Sequence, residues 1–188
     1  GYEDANDCNQ LRSDSALKMS VGRKPSDSDL SSQSTMTRLE NCVDSKTLYK
    51  IGKLFLDEYI SSFEKAPKKV IIDGDDTNAN TYGAQQLTLF NAYYNEYCYM
   101  PMLLFDGLTG KLMLPLLRPG RRNKSLSVAR IIQRVVEYLH EHWPNTVIEL
   151  RGDSHFASHE VMDWAHDKWY VRYLTGLSGN SVLLSMVD

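Results

Sequence analysis

Cysteine is scarce in this chain. Cys8, Cys42 and Cys98 are odd in number, far apart and without metal-ligand spacing. That speaks against a disulfide framework and fits reduced thiols. No apolar run reaches membrane-spanning length, and no basic-then-apolar leader opens the chain. A cytoplasmic protein without a membrane partner is therefore the expectation. An initiator methionine is also missing: the chain opens Gly1-Tyr2-Glu3-Asp4, as a piece cut from something longer would. Positive charge is not in excess, with 21 Lys and Arg against 24 Asp and Glu for a net of −3. Bulk charge thus does not advertise a nucleic-acid partner.

What is present is enough for a folded domain. The 188 residues fit one domain, or one with a small appendage, and 42% apolar residues suffice for a core. Charge is unevenly placed. From Lys111 to Arg151 there are eight Lys and Arg against three Glu, a local +5, which leaves −8 for the remainder. Such asymmetry permits a basic surface and equally a solvated face.

The organising stretch is Lys69-Val70-Ile71-Ile72-Asp73-Gly74-Asp75-Asp76-Thr77. A short β-branched run ending in polar residues reads as a buried strand. Side chains alternate along a strand, so Asp73 and Asp75 share a side. Carboxylates at the end of a buried strand can bind a hard divalent cation. A solvated Asp-rich turn is the alternative.

Ahead of this strand, residues 1–66 read as a helical region. Asp14 caps a short helix to Met19, and Gly22–Gln33 is a Ser-, Asp- and Pro-rich loop. Ser34-Thr35 starts a second helix, and Asp44 or Ser45 starts a longer one closed by Pro67. Behind it, a tyrosine-rich run (Tyr93 to Tyr99) leads into a β-hairpin. Its strands are Met100–Phe105 and Lys111–Leu117, around the turn Asp106–Gly110. Pro115 suits an edge strand. A basic loop, Arg118 to Lys124, precedes an amphipathic helix capped by Ser125 or Ser127 and stopped by Pro144. Thr146–Leu150 is a strand, a helix follows from about Ser158, and Tyr170–Leu174 is another strand. Ser181–Asp188 reads as extended.

From Lys69 the order is strand, strand, strand, helix, strand, helix, strand. Three antiparallel strands followed by strands joined through right-handed helical crossovers make an RNase H-like mixed α/β sheet. In that arrangement the first and fourth strands are neighbours, so Asp75 and Asp153 meet. Two close carboxylates repel unless a cation lies between them. Paired Mg²⁺ ions about 3.5–4 Å apart can activate a water or 3′-hydroxyl and stabilise the leaving oxygen of a phosphodiester.

Several motifs resemble one family. They are Asp73-Gly74-Asp75-Asp76-Thr77, Tyr82-Gly83-Ala84-Gln85-Gln86, Phe90-Asn91-Ala92-Tyr93-Tyr94, Tyr97-Cys98-Tyr99-Met100-Pro101, Leu117-Arg118-Pro119-Gly120 and Leu150-Arg151-Gly152-Asp153-Ser154-His155-Phe156. Together with the opening residues and Ser32–Asn41, they resemble the transposases of the IS1380 group within the DDE superfamily. The resemblance covers nearly the whole chain. It implies an enzyme that cuts and joins double-stranded DNA at insertion-sequence ends with Mg²⁺ or Mn²⁺, in the nucleoid-associated cytoplasm, with a homodimer as a possible assembly. Asp75 matches the first catalytic and metal-binding acid, with Asp73 in reserve, and Asp153 matches the second. The third, a Glu on a downstream helix, has no counterpart among Glu160, Asp163, Asp167 and Asp188. Residues 67–188 are then expected to be a partial catalytic domain.

Other residues carry two readings. Arg118, Arg121, Arg122 and Lys124 can contact DNA phosphates or form a solvated loop. His155 can approach the scissile phosphate or serve as a hydrogen-bonded structural histidine. The tyrosines from Tyr93 to Tyr99 can stack on bases or pair across strands. Two other functions stay open. One is a haloacid-dehalogenase-like Mg²⁺ phosphatase with Asp73 as nucleophile and Asp75 as acid/base. The other is a catalytically dead remnant that keeps DNA affinity.

Overall fold

Strand β1 (Lys69–Asp76) lies at the centre of the fold. The computed structural model describes residues 5–81, 88–121, 127–154, 156–176 and 185–186. The Ser181–Asp188 segment expected to be extended lies outside these, apart from 185–186.

The chain forms two compact units, Gly1–Lys50 and Ile51–Asp188. The first holds α1 (Cys8–Leu11), α2 (Ser15–Ser20) and α3 (Gln33–Glu40). The Asp14 carboxylate accepts from the Leu17 N–H, as its capping role requires. Lys18 is buried in this unit, its ammonium donating to the Asp27 carbonyl at 2.9 Å and to that of Pro25 at 3.3 Å. Helix α4 (Ser45–Ser61) crosses from the first unit into the second. It is capped by Asp44, which accepts from the Thr47 N–H at 2.7 Å. It ends six residues before Pro67 because the backbone turns at Ser62, whose N–H and hydroxyl both bond the Tyr59 carbonyl.

The second unit adds short strands β2 (Ala79–Asn80), β3 (Leu89–Asn91) and β4 (Glu96–Tyr99). It continues with β5 (Met102–Asp106), β6 (Leu112–Leu116), α5 (Val128–His142), β7 (Val147–Gly152), α6 (His159–His166) and β8 (Val171–Thr175). Caps again come from local sequence: Ser127 accepts from the Arg130 N–H and Ser158 from that of Val161. Five strands form one sheet in the order β6-β5-β1-β7-β8. β1 pairs antiparallel with β5, which pairs antiparallel with β6, while β1–β7 and β7–β8 are parallel. This is the expected RNase H-like arrangement, with Pro115 on the edge strand. A nucleophile-bearing strand of the phosphatase kind belongs among strands that alternate with helices after its motif. Here β1 borders the antiparallel β5 instead.

One face of the sheet makes the core. Val70, Ile72, Met102, Leu104, Ile148 and Leu150 pack with Leu56 and Tyr59 of α4, with Ile132, Val136 and Leu139 of α5, and with Val161 and Ala165 of α6. Alternation sends Asp73 and Asp75 to the other face. Burial and the nearby Asp106 carboxylate hold the Tyr59 hydroxyl protonated well above the usual tyrosine range.

A second, three-stranded antiparallel sheet, β2-β4-β3, stands beside the first. The tyrosine-rich run supplies its middle strand. Its pairings join strands of two to four residues, too short for periodicity to reveal.

Candidate active site

The site is built at matched strand ends. Along the β1–β7 pairing each residue lies 78 positions from its partner, from Lys69 with Val147 to Gly74 with Gly152. Asp75 and Asp153 have the same separation, one step past the last pair. They line one groove with Asp73, Gly74, Phe105, Asp106, Gly107 and Gly110. Neighbouring strands run about 4.8 Å apart, which brings carboxylates at equal register close to each other.

Asp73 is in a different situation. Arg151, its register partner on β7, donates through both Nε and an Nη to its two carboxylate oxygens, a bidentate fork. That hydrogen bonding, together with the Asp73 charge, raises the Arg151 guanidinium above its ordinary pKa. With both oxygens engaged, Asp73 is poorly disposed as a phosphatase nucleophile. Gly107 leaves room for the fork. A Cβ there would stand 2.8 Å from an Arg151 nitrogen and 2.9 Å from an Asp73 oxygen. Asp106 is buried and closes the turn, accepting from the Leu108 N–H at 3.1 Å and the Thr109 hydroxyl at 2.6 Å.

Three positioning residues stand inside the motifs named above, but the sequence reading assigned them no role. Gly74 and Gly152 pair across β1 and β7, on the face opposite the carboxylates. The ring of Phe156 fills the space their missing side chains leave. A Cβ on Gly74 would meet it at 2.5 Å and one on Gly152 at 2.7 Å. The Phe156 N–H also donates to the Asp153 carbonyl at 3.1 Å. The ring therefore anchors the turn that carries Asp153. The available signal was the repeated Gly-Asp, at 74–75 and at 152–153.

The expected phosphate contacts divide. Arg118 faces inward: its guanidinium pairs with Asp76 and donates through Nε to the Met100 carbonyl at 3.1 Å, with both charged side chains largely buried. Arg121 is exposed. Arg122, Lys124 and His155 lie outside the described residues, as does the Tyr82–Gln86 motif.

Two carboxylates on one groove suit a hard cation that keeps open positions for water and phosphate oxygens. Among the described residues, no group of three or more His, Cys, Asp or Glu stands close enough to hold a metal ion. Nor, among them, is any helix long and apolar enough to cross a membrane.

The family model described as Transposase DDE domain group 1 matches residues 1–188. The chain belongs to that family. No curated protein matches this DDE-family chain. Among solved structures it is similar to a piggyBac transposase synaptic complex with hairpin DNA, at 13% identity and a TM-score of 0.44, over 84% of this chain and 36% of that one. It is also similar to the Mos1 strand transfer complex, at 13% identity and a TM-score of 0.35, over 99% of this chain and 64% of the other. A Drosophila P element transposase strand transfer complex matches at 7% identity and a TM-score of 0.36, over 93% and 42%. The chain thus spans less than two thirds of the length of each of these solved proteins, and none of the likenesses is close enough to assign a role to a residue.

Proposed function

We propose that this chain is part of the catalytic portion of an insertion-sequence transposase of the IS1380 group, an enzyme acting on double-stranded DNA by phosphodiester cleavage and strand transfer, with the first two acids present and no counterpart for the third. The observation that supports the reading is that Asp75 and Asp153, each one residue past the Gly74–Gly152 pair, line the same groove. We place a partial catalytic domain in residues 67–188, behind a helical front portion, 1–66. Mg²⁺ or Mn²⁺ as the ion, a homodimer on paired DNA ends and a cytoplasmic, nucleoid-associated location belong to the same reading.

A bound divalent ion would supply charge neutralisation and acidify an attacking water or 3′-hydroxyl. The protein's part is positional. Asp75, near the end of β1, and Asp153, just past the end of β7, would present oxygen ligands to the ion. Asp73, held by Arg151, stiffens the same strand ends and acts on the pair from outside. Phe156 fixes the turn after β7. Arg121 offers a charge to a DNA phosphate, and salt weakens any such contact. Arg122 and Lys124 extend that basic loop in sequence.

Manganese binding tests this, followed by the spin signal of the free ion. Asp75→Asn and Asp153→Asn should each weaken binding by more than the roughly 10–100-fold typical of losing an outer-shell partner. Asp73→Asn should stay within that range. Equal binding by wild type, D75N and D153N would remove the basis of the reading. A large loss in D73N with none in D75N would move the first acid to Asp73.

A further inference from the structure

We infer that Arg151 is a positioning residue that decides which carboxylates a metal ion can use. Its fork withholds Asp73, leaves Asp75 and Asp153 to the ion, and so keeps coordination positions open for water and phosphate oxygens. This rests on the metal-site reading above and adds to it the residue that selects the ligands.

The order of charges along one sheet face carries the inference. Val70 and Ile72 of β1 pack in the core, as do Ile148 and Leu150 of β7, so Lys69, Asp73 and Asp75 share the opposite face with Glu149 and Arg151. Lys69 pairs with Glu149 at 2.9 Å. Asp73 pairs with Arg151 through both carboxylate oxygens. Past the Gly74–Gly152 pair this matching of opposite signs ends, and Asp75 and Asp153 bring two negative charges to the groove. Asp73 lines that groove as well. It stands two residues from Asp75, about 6.6 Å along the strand, a spacing that one ion between two carboxylates can span. Yet among the described residues no three acids converge as a metal site would require. The fork turns Asp73 away.

The fork depends on a third element. Gly107, in the turn after β5, donates its N–H to the Ile71 carbonyl at 2.8 Å, which fixes its backbone against β1. A Cβ at this position would meet Arg151, Asp73 and the Ile71 side chain, all within 3.1 Å. The pair is still open to solvent, with the Arg151 side chain 44% and that of Asp73 34% exposed. A water-screened pair of this kind separates at small cost. Geometry is what keeps Asp73 engaged. Two N–H donors of one planar guanidinium meet two oxygens, which the single ammonium of a lysine cannot reproduce.

Withholding one acid has a chemical use. Mg²⁺ gives up its waters reluctantly and is ordinarily held by one or two carboxylates, with substrate phosphates completing the shell. A third carboxylate would bind the ion more tightly and occupy a position that the phosphodiester needs. Arg151 thus lowers metal affinity and keeps the ion accessible.

The test is a Mn²⁺ titration of the whole 188-residue chain, with two variants that leave the charge of the fork unchanged. Arg151→Lys keeps the positive charge and loses the paired donors. Gly107→Ala forces a methyl group into the fork. Each should tighten Mn²⁺ binding by about tenfold or more, because the affinity of an oxygen site for a divalent ion climbs by orders of magnitude with the charge count of its ligands. Adding Asp73→Asn to either variant should abolish the gain. A merely structural role predicts the reverse, since loosened strand ends bind metal less well. If one variant melts early, the other carries the test. Unchanged or weaker binding in a folded variant overturns the inference, and so does a gain that Asp73→Asn leaves in place. If D75N and D153N still lose binding, the metal-site reading survives that failure. If wild type, D75N and D153N bind alike, both fall.

Discussion

A single methyl group at Gly152 would land 2.7 Å from the Phe156 ring, well inside contact distance. The ring is buried and has the paired Gly74 on its other flank, so neither neighbour can give way cheaply. Gly152→Ala is therefore expected to destabilise the fold by about 1–3 kcal/mol, the range for overpacking. Phe156→Ala, which empties the slot, should cost about 3–5 kcal/mol. Combining the two is the sharper measurement. If the methyl and the ring compete for one space, the double variant is less destabilised by urea unfolding than the sum of the singles. Strict additivity would mean that the glycine is needed for another reason. The sequence showed the acids at this site and hid their supports. Carboxylates after a β-branched run are a local pattern. The need for glycine at 74 and 152 arises from a ring that reaches both strands and becomes visible only once they are paired.

Helix starts were legible for the same reason that the glycines were not. Asp14, Asp44, Ser127 and Ser158 each bond an N–H three residues ahead, so the information lies within one turn of chain. The small sheet shows the opposite case. Its three strands are held by partners up to twenty residues apart and carry no period of their own. Asp44 makes the cap testable. The Thr47 hydroxyl, and then its N–H, hold the Asp44 carboxyl below the ordinary aspartate range. A carboxyl depressed in the folded state contributes stability above its unfolded pKa, about 3.9, and loses it as pH falls through the folded value. Acidification from pH 5 toward 3 should thus unwind the first turn of α4 in the wild type. Asp44→Asn keeps a capping oxygen that does not titrate, so its helical circular dichroism should fall less over the same interval. Parallel titrations of the two would show that Asp44 does not govern the start of this helix.

At the scale of the whole molecule, a net charge of −3 must be reconciled with the polyanionic substrate proposed above. The +5 carried by residues 111–151 offers a local answer, but a charge reaches phosphate only if its own partner leaves it free. Arg118 and Arg121 are three residues apart and meet opposite conditions. Arg118 is committed to Asp76 and the Met100 carbonyl, where it ties the end of β1 to the start of β5. Arg121 is exposed. Residue type and spacing cannot tell them apart, because both follow from a fold that turns one inward. Duplex affinity measured against salt separates them. Arg121→Ala should lower the slope of log K against log salt by about one, the signature of one lost phosphate contact, without moving the melting temperature. Arg118→Ala should leave that slope alone and lower stability by roughly 1.5–3 kcal/mol, the range for a hydrogen bond to a charged group. If the slope instead falls in Arg118→Ala and holds in Arg121→Ala, the Asp76 pair opens on DNA and the contact belongs to the inner arginine. The basic loop would then be a latch released by its substrate.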